Sequence, residues 1–483
     1  MSYGTVLRVV GRICAILSVV LILPLIVSLI YGESIFGFAV AMAVSAFLAA
    51  ILILPTHRRK QKMFSKEGFA CVALSWVVMS LIGAIPFWVE GAIPNYVDAL
   101  FESVSGFTTT GASILSNVEA VGRGLLFWRS FTHWIGGMGI LVLMMAVLPM
   151  SENYSIFIMR AETTGPEAGK LVPRVRNSSM ILYLMYISLT VVEVIFLLAG
   201  GMSFYEAVLH SMGTAGTGGF GIKSDSIGGY SPYLQTVIGV FMMLFGVNFN
   251  LYFCLLLRRF GSFFKNEELL CYGGIITVST ALITLNVRSL YAGDWLISLR
   301  HSFFQVSSVM TTTGYSTTDF DAWPNFSKTI LALLMFIGAC AGSTAGGIKV
   351  SRLMILVRSA ISEIKHLLRP NSYNPVTLDK KPVDTKIIHS TLVFFLLYMM
   401  ILFGSWLLIS LENYDMETSF SSVLACLSNI GPGLGLAGPA ANFAFYSSAS
   451  KLLLSFCMLV GRLEVFPVLA LFSPYTWRRS SRF

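Results

Sequence analysis

Gly111, Gly219, Gly314 and Gly431 stand 108, 95 and 117 residues apart, each in a stretch crowded with small or hydroxyl side chains. The stretches read "DALFESVSGFTTTGAS", "EAVLHSMGTAGTGGFG", "HSFFQVSSVMTTTGYS" and "TSFSSVLACLSNIGPG". Glycine reaches backbone conformations closed to residues with a Cβ, so successive carbonyls can turn one way. Threonine beside it adds a hydroxyl acceptor. A ring of such oxygens can replace the hydration shell of a cation. One loop of this kind would be an ordinary turn at a membrane surface, but four in phase are not. About 13 residues of short-helix pattern precede each glycine, and Asp98 and Glu206 fall at the same offset of 13. Those helices would aim the negative ends of their dipoles at a common centre, which again favours a cation.

The elements that must position these loops are membrane spans. The chain has 483 residues, 55% of them hydrophobic and only 12% charged. Soluble domains carry about a quarter charged residues. Apolar runs near the ~20 residues that cross a bilayer recur throughout. We place ten, at about 6–31, 35–55, 68–90, 125–150, 178–200, 232–257, 269–290, 327–350, 388–411 and 448–475. The first is too long, and too soon followed by a second, for a cleaved signal peptide. The fold class is therefore all-α and polytopic, each glycine loop lying between two spans. Non-helical backbone at membrane depth survives only where protein buries it or it lines a watery cavity.

Basic residues set the orientation. "THRRKQKMFSK", "RRFGSFFKNEE", the long stretch from Arg352 to Lys386 and the terminal "WRRSSRF" alternate with loops that carry few Lys or Arg. The positive-inside rule makes the basic loops and both termini cytoplasmic. The net charge of +9 thus lies mainly along one membrane face and says nothing of nucleic acid. The other loops hold Glu90, Asp98, Glu102, Glu119, Asp225, Asp319, Asp321, Glu412, Asp415 and Glu417. They read either as solvated loop residues or as an acidic outer face that concentrates cations.

Several chemistries are excluded. The seven cysteines (14, 71, 254, 271, 340, 426, 457) are scattered and form no CxxC pair, and the six histidines have no metal-ligand spacing. "GPEAGKL", from Gly165 to Leu171, has one residue too few between its glycines for a phosphate loop and Leu171 where Ser or Thr belongs. "GPGLGLAG" matches G-x-G-x-x-G through Gly433, Gly435 and Gly438 but lies between spans, outside any βαβ unit. No nucleotide site, covalent cofactor or enzymatic reaction is indicated.

"TTTGYS" is similar to the filter of tetrameric potassium channels, carried here four times in one chain with drift. That layout resembles the Trk/Ktr/HKT superfamily of potassium transporters. "LPLIVSLIYGE", "FTTTGAS", "HWIGGMGI", "GACAGSTAGGIKV" and "GRLEVFPVL" look like its bacterial TrkH-type uptake branch, over essentially the whole chain. The resemblance implies an N-terminal two-helix hairpin (1–66) followed by four pore units (67–177, 178–268, 269–386 and 387–483). It implies potassium held at Thr110 and Gly111, Gly218 and Gly219, Thr313 and Gly314, and Ile430 and Gly431. Thr109, Thr217, Thr312 and Asn429 complete the filter segments. In this family a serine at the first filter glycine goes with sodium permeation, so Gly111 favours potassium. "GTGGFG" and "NIGPGL" lack the triple threonine, which implies imperfect fourfold coordination and partial selectivity. A homodimer, a cytosolic TrkA-type ring of nucleotide-binding regulatory subunits, and a bacterial plasma-membrane location are also implied.

"GACAGSTAGGIK" interrupts the eighth span with Gly338, Gly342, Gly346 and Gly347 beside Ser343 and Thr344. Each glycine costs a helix ~1 kcal/mol relative to alanine. The stretch reads as close helix packing through small residues or, by the resemblance, as an intramembrane gate beneath the filter. Lys349 either belongs to that gate or snorkels to the cytoplasmic face. Arg462 and Glu464 lie within the last span, where a charge needs a partner or water. They read as a structural pairing, or, as the family implies, Arg462 is an electrostatic barrier working with the gate. Structural pairing is expected for Arg129 and His133, and scaffold bonding for Asn248 and Asn250. A symporter coupling potassium to H⁺ or Na⁺ is the alternative to a passive pore, although such folds usually show two inverted repeats.

Overall fold

The computed structural model describes residues 3–56, 65–139, 175–370 and 374–477. Most of the first basic loop, the end of the fourth expected span, "GPEAGKL" and residues 478–483 lie outside the described residues. The described residues are mostly helical: an all-α polytopic membrane protein. Six helical stretches among the described residues are long and apolar enough to cross a membrane: Tyr3–Ile30, Phe36–Thr56, Lys66–Val89, Ser179–Ala199, Glu267–Tyr291 and Thr385–Glu412. A pair bent by 90°, Pro232–Phe245 and Phe249–Leu256, makes a seventh when taken as one broken span.

We number α1 Tyr3–Val20, α2 Ile22–Ile30, α3 Phe36–Ile53, α4 Ser65–Val89, α5 Tyr96–Phe107, α6 Arg123–Met138, α7 Val175–Ala199, α8 Phe204–Gly216, α9 Pro232–Phe245 and α10 Phe249–Leu256. There follow α11 Phe260–Phe264, α12 Glu267–Val287, α13 Trp295–Met310, α14 Asn325–Phe336, α15 Val350–Leu368, α16 Thr385–Ile409, α17 Met416–Leu427, α18 Ser448–Arg462, α19 Phe466–Phe472 and α20 Pro474–Trp477. A two-residue-turn hairpin, β1 Thr377–Leu378 with β2 Lys381–Pro382, joins α15 to α16.

The short helices α5, α8, α13 and α17 start where a polar side chain caps them. Asn95, Ser203, Asp294 and Asp415 each accept from backbone N–H groups of the first turn. Such caps satisfy donors that would otherwise be orphaned. Each short helix packs on the long helix before it (α4, α7, α12, α16) and on the helix after it (α6, α9, α14, α18). Each also packs on the helix that closes the preceding unit: α8 on α6, α13 on α9, α17 on α14 and α5 on α18. The packing is cyclic, and α5 against α18 closes it across more than 340 residues. The α1–α3 hairpin lies to one side, against α4 and α6.

The helices after the glycine loops differ from the straight spans expected. Each stops inside the segment: α6 at Gly139 (φ +78°), α9 at Gly246–Asn248, α14 at Ile337 and α18 at Glu464–Val465 (φ +58° and +63°). The break expected only in the eighth span is one of four. Gly139 takes a left-handed φ, Gly246 and Gly338 admit Tyr272 and the Gly346 carbonyl where a Cβ would clash, and carbonyls freed at these ends find partners beneath the loops.

Candidate ion pathway

The four short helices end in one geometry. Thr109, Thr217, Thr312 and Asn429 all sit in the left-handed region, at φ 54–57°. The N–H of each bonds three residues back, to Gly106, Thr214, Val309 and Cys426. The next residue's N–H bonds five back: Thr110 to Ser105, Gly218 to Gly213, Thr313 to Ser308 and Ile430 to Ala425, at 2.8–2.9 Å. These are Schellman-type terminations, in which glycine normally takes the left-handed place. Here three threonines and an asparagine take it. A β-branched residue there is strained by ~1–3 kcal/mol, so the surrounding structure must impose it. All eight residues are buried.

The following glycines have φ of +80°, +75°, +83° and +98°. A Cβ on Gly111 would overlap the carbonyl oxygen of Gly218, one on Gly219 that of Thr313, and one on Gly314 that of Ile430. A Cβ on Gly431 would lie 2.6 Å from the carbonyl oxygen of Thr110. Every loop thus presents the carbonyl before its glycine to the Cα of a neighbouring loop's glycine, and the four loops close into a ring. A cavity of about 140 Å³ lies over it, lined by all four glycines.

Side chains separate the loops into two kinds. In the first and third, Thr108 and Thr311 meet Thr110 and Thr313 hydroxyl to hydroxyl at 2.8 Å. The second and fourth have no such pair. Thr217 Oγ1 donates to the Gly216 carbonyl, and Asn429 Nδ2 donates to Thr110 Oγ1 and the Met458 carbonyl at 2.9 Å.

Arg129 pairs with Glu102 at 2.6 Å, both side chains buried. Glu102, read from sequence among the outer-loop acids, is instead inside α5 and fully enclosed. Its nine-residue distance from Gly111 already put it in the short-helix pattern. Its carboxylate accepts from Ser113 Oγ and the Ile114 N–H, while Arg129 donates to the Gly221 carbonyl and lies over Phe220. One ion pair therefore holds the chain leaving the first two loops. His133 bonds the Gly106 carbonyl at 2.7 Å, so Arg129 and His133 pair structurally, as expected.

Beneath the ring, residues 337–349 fold back on themselves, with Gly338 N–H bonded to the Ile348 carbonyl at 2.8 Å. Gly346 N–H donates to Thr312 Oγ1 at 2.7 Å, and its Cα faces Asn429 and the Ser428 carbonyl. Cys340 N–H reaches the Gly246 carbonyl at 3.1 Å, Phe249 N–H the Gly342 carbonyl at 3.1 Å, and Thr344 Oγ1 the Phe245 carbonyl at 3.3 Å. Asn248 caps α10 and faces Gly342. Glu268 Oε1 accepts from Ala341 N–H at 2.7 Å and Ser351 N–H at 3.0 Å.

Arg462 donates to the Thr344 carbonyl at 2.7 Å and to the carbonyls of Gly136 and Gly137, where α6 ends. Glu464 pairs with Arg352 at 2.5 Å. Lys349 does not snorkel: it is 1% exposed and donates to the Ala345 carbonyl. Gly338, Gly342, Ser343, Thr344, Gly346, Gly347, Lys349 and Arg462 thus gather in one buried body under the loops.

Fold and site together define a class: polytopic helical membrane proteins built round an oxygen-lined opening. The family model for TrkH, described as a cation transport protein, matches residues 34–478. The chain is 36% identical over 486 residues to the Trk system potassium uptake protein TrkH of Salmonella typhimurium, covering 99% of this chain and all of that one. TrkH of Escherichia coli K12 is similar to the same degree. The crystal structure of the potassium transporter TrkH from Vibrio parahaemolyticus matches with TM-score 0.88 and 31% identity, covering 99% and 100% of the two chains. The chain belongs to the TrkH family of cation transport proteins.

Proposed function

We propose that this protein takes up potassium across the bacterial plasma membrane, passively, through the ring of four glycine loops. The observation that carries the reading is the closure of that ring under one cavity lined by Gly111, Gly219, Gly314 and Gly431. The carbonyls of Thr110, Gly218, Thr313 and Ile430, with the neighbouring glycine carbonyls, strip and hold the ion. Electrostatic stabilisation by fixed dipoles needs no rearrangement as the ion enters.

The segment 338–349 is the gate. It sits against Thr312 and Asn429 and is held from the ends of α6 and α9, so its withdrawal opens the axis. Arg462 locks it and adds a positive charge that opposes cations. The chain comprises the N-terminal hairpin (1–66) and four pore units, works as a homodimer with both termini cytoplasmic, and is opened by a cytosolic TrkA-type nucleotide-binding ring. The names of the TrkH relatives, all potassium uptake proteins, support the choice of ion.

Rubidium-tracer uptake into proteoliposomes, driven only by an imposed membrane potential, tests the reading. Uptake without any proton or sodium gradient is expected. Uptake that appears only with such a gradient would replace the passive pore by a symporter.

A further inference from the structure

Glu268 stands outside the filter and outside the gate segment, yet it touches both that segment and the helix that leaves it. It lies in the first turn of α12 and is the last residue of "RRFGSFFKNEE", which reads in sequence as an ordinary cytoplasmic loop. One of its oxygens, Oε1, accepts from the N–H of Ala341 at 2.7 Å and of Ser351 at 3.0 Å. Those donors are ten residues apart, one inside the gate segment and one in the first turn of α15, which leaves it. The first N–H groups of a helix have no partner of their own. Lys349, which precedes α15, supplies no capping bond from its side chain. The cap comes instead from Glu268, on another helix.

The two residues before Glu268 are tied elsewhere. Asp379, in the turn of the β1–β2 hairpin, accepts from Asn266 Nδ2 at 2.9 Å and from the Glu267 N–H at 2.8 Å. Arg358 of α15 pairs with Glu267 at 2.7 Å and donates to the Thr377 carbonyl of the same hairpin at 2.5 Å. Asp379 and Lys380 both have positive φ (49° and 63°), so the turn presents the Asp379 carboxylate to α12. Asp379, Lys380 and Lys381 are exposed. Hairpin, start of α12 and gate therefore form one hydrogen-bonded path through residues 266–268, beside the direct contact of α15 with the hairpin through Arg358.

We propose that Glu268 is the latch of the gate, a positioning residue that holds the segment closed, and that the hairpin at Asp379 is the handle through which the latch is released. A displacement of the hairpin carries the start of α12 with it and withdraws one oxygen from two donors at once. The gate then loses two of its ties in a single step, one within the segment and one at the helix that leaves it, while the filter ring above, bonded within its own helices, stays as it is. This deepens the gating read above and rests on it.

The test uses the full chain in proteoliposomes without any cytosolic partner. Two readouts run in parallel: rubidium flux, and alkylation of Cys340 resolved from the other cysteines by peptide mass spectrometry. Cys340 is buried inside the gate segment. Glu268→Ala is expected to raise flux about tenfold and to make Cys340 reactive, because two charge-assisted bonds are lost. Glu268→Gln keeps one acceptor oxygen and falls between wild type and Glu268→Ala. Asp379→Ala gives a smaller rise, about two- to threefold, in the same direction. Potassium-over-sodium selectivity stays unchanged in all three.

A folded Glu268→Ala protein with wild-type flux and a protected Cys340 overturns the latch. Reactive Cys340 with wild-type flux keeps the latch but overturns the segment as the gate, so the two readings fail separately. If Glu268→Ala does not fold, Glu268→Met, which keeps the bulk and removes the acceptor, decides: equality with wild type in both readouts overturns the proposal.

Discussion

The filter ring and the segment beneath it are both glycine-rich, buried and non-helical, yet they are held by opposite means. Each filter loop is fixed first by its own helix, through the paired bonds from Thr109 and Thr110 and their three counterparts to the last turn. The gate segment, besides bonds such as Gly338–Ile348 within its own fold-back, is fixed from outside by Thr312, Gly246, Glu268 and Arg462, which come from four different parts of the chain. Local bonds persist as long as their helix does. Remote bonds can be exchanged one at a time. The same residue type therefore builds a rigid part and a movable part, and the partners decide which.

The largest effect expected is on the rigid side. Arg129→Met keeps much of the side-chain bulk but leaves Glu102 buried without its charge partner. Breaking a buried pair from one side costs about 3–5 kcal/mol. A marked drop in melting temperature in detergent, with little folded protein recovered, is the expected result. A variant as stable as wild type would show that the ion pair does not hold the loops.

Next comes the ring. Gly314→Ala places a Cβ into the Ile430 carbonyl at a φ of +83°, and rubidium flux should fall by about a hundredfold, equivalent to ~3 kcal/mol. Gly111→Ser meets the Gly218 carbonyl in the same way, and should in addition lower potassium-over-sodium selectivity in a bi-ionic flux assay. Unchanged flux and selectivity in both would remove the ring from the pathway.

The difference between the two regions also sorts what the sequence made legible. The ring was readable because its marks are local: a glycine, hydroxyl neighbours, and a short helix at constant offset. The N-caps at Asn95, Ser203, Asp294 and Asp415, found in the structure, are equally local. The loop order around the axis was implied only by four copies in one chain, and the contact of α5 with α18 supplies it. Glu102, Glu268 and Arg462 could not be placed in this way. Whether an acid is a solvated loop residue or a buried tie depends on partners such as Arg129, Ala341 or Gly136, which no periodicity points to. The breaks at Gly139 and Gly246 had glycine as a signal, but glycine is common in packed membrane helices. The break at Glu464–Val465 had none.

On the movable side, Arg462→Ala removes the charged donor to the carbonyls of Thr344, Gly136 and Gly137. Flux should rise about tenfold, since bonds to a charged group contribute about 1.5–3 kcal/mol, while selectivity stays at the wild-type value. A fall in flux would mean that Arg462 supports the pathway instead of closing it.

The smallest effect belongs to Thr312, where the two regions meet. Its backbone, at φ +54°, is part of the ring, and its hydroxyl accepts from the gate at Gly346. Thr312→Val keeps the β-branched shape and the backbone geometry, and deletes only the acceptor. One neutral hydrogen bond contributes about 1 kcal/mol, so the gate should open more readily and flux should rise about fivefold at most. Selectivity is the sharper measure. If it stays constant while flux rises, the ring is held by its helix and the gate by its partners, and the two parts are separable through a single residue. If selectivity falls together with the change in flux, the hydroxyl also shapes the ring, and filter and gate are one coupled unit.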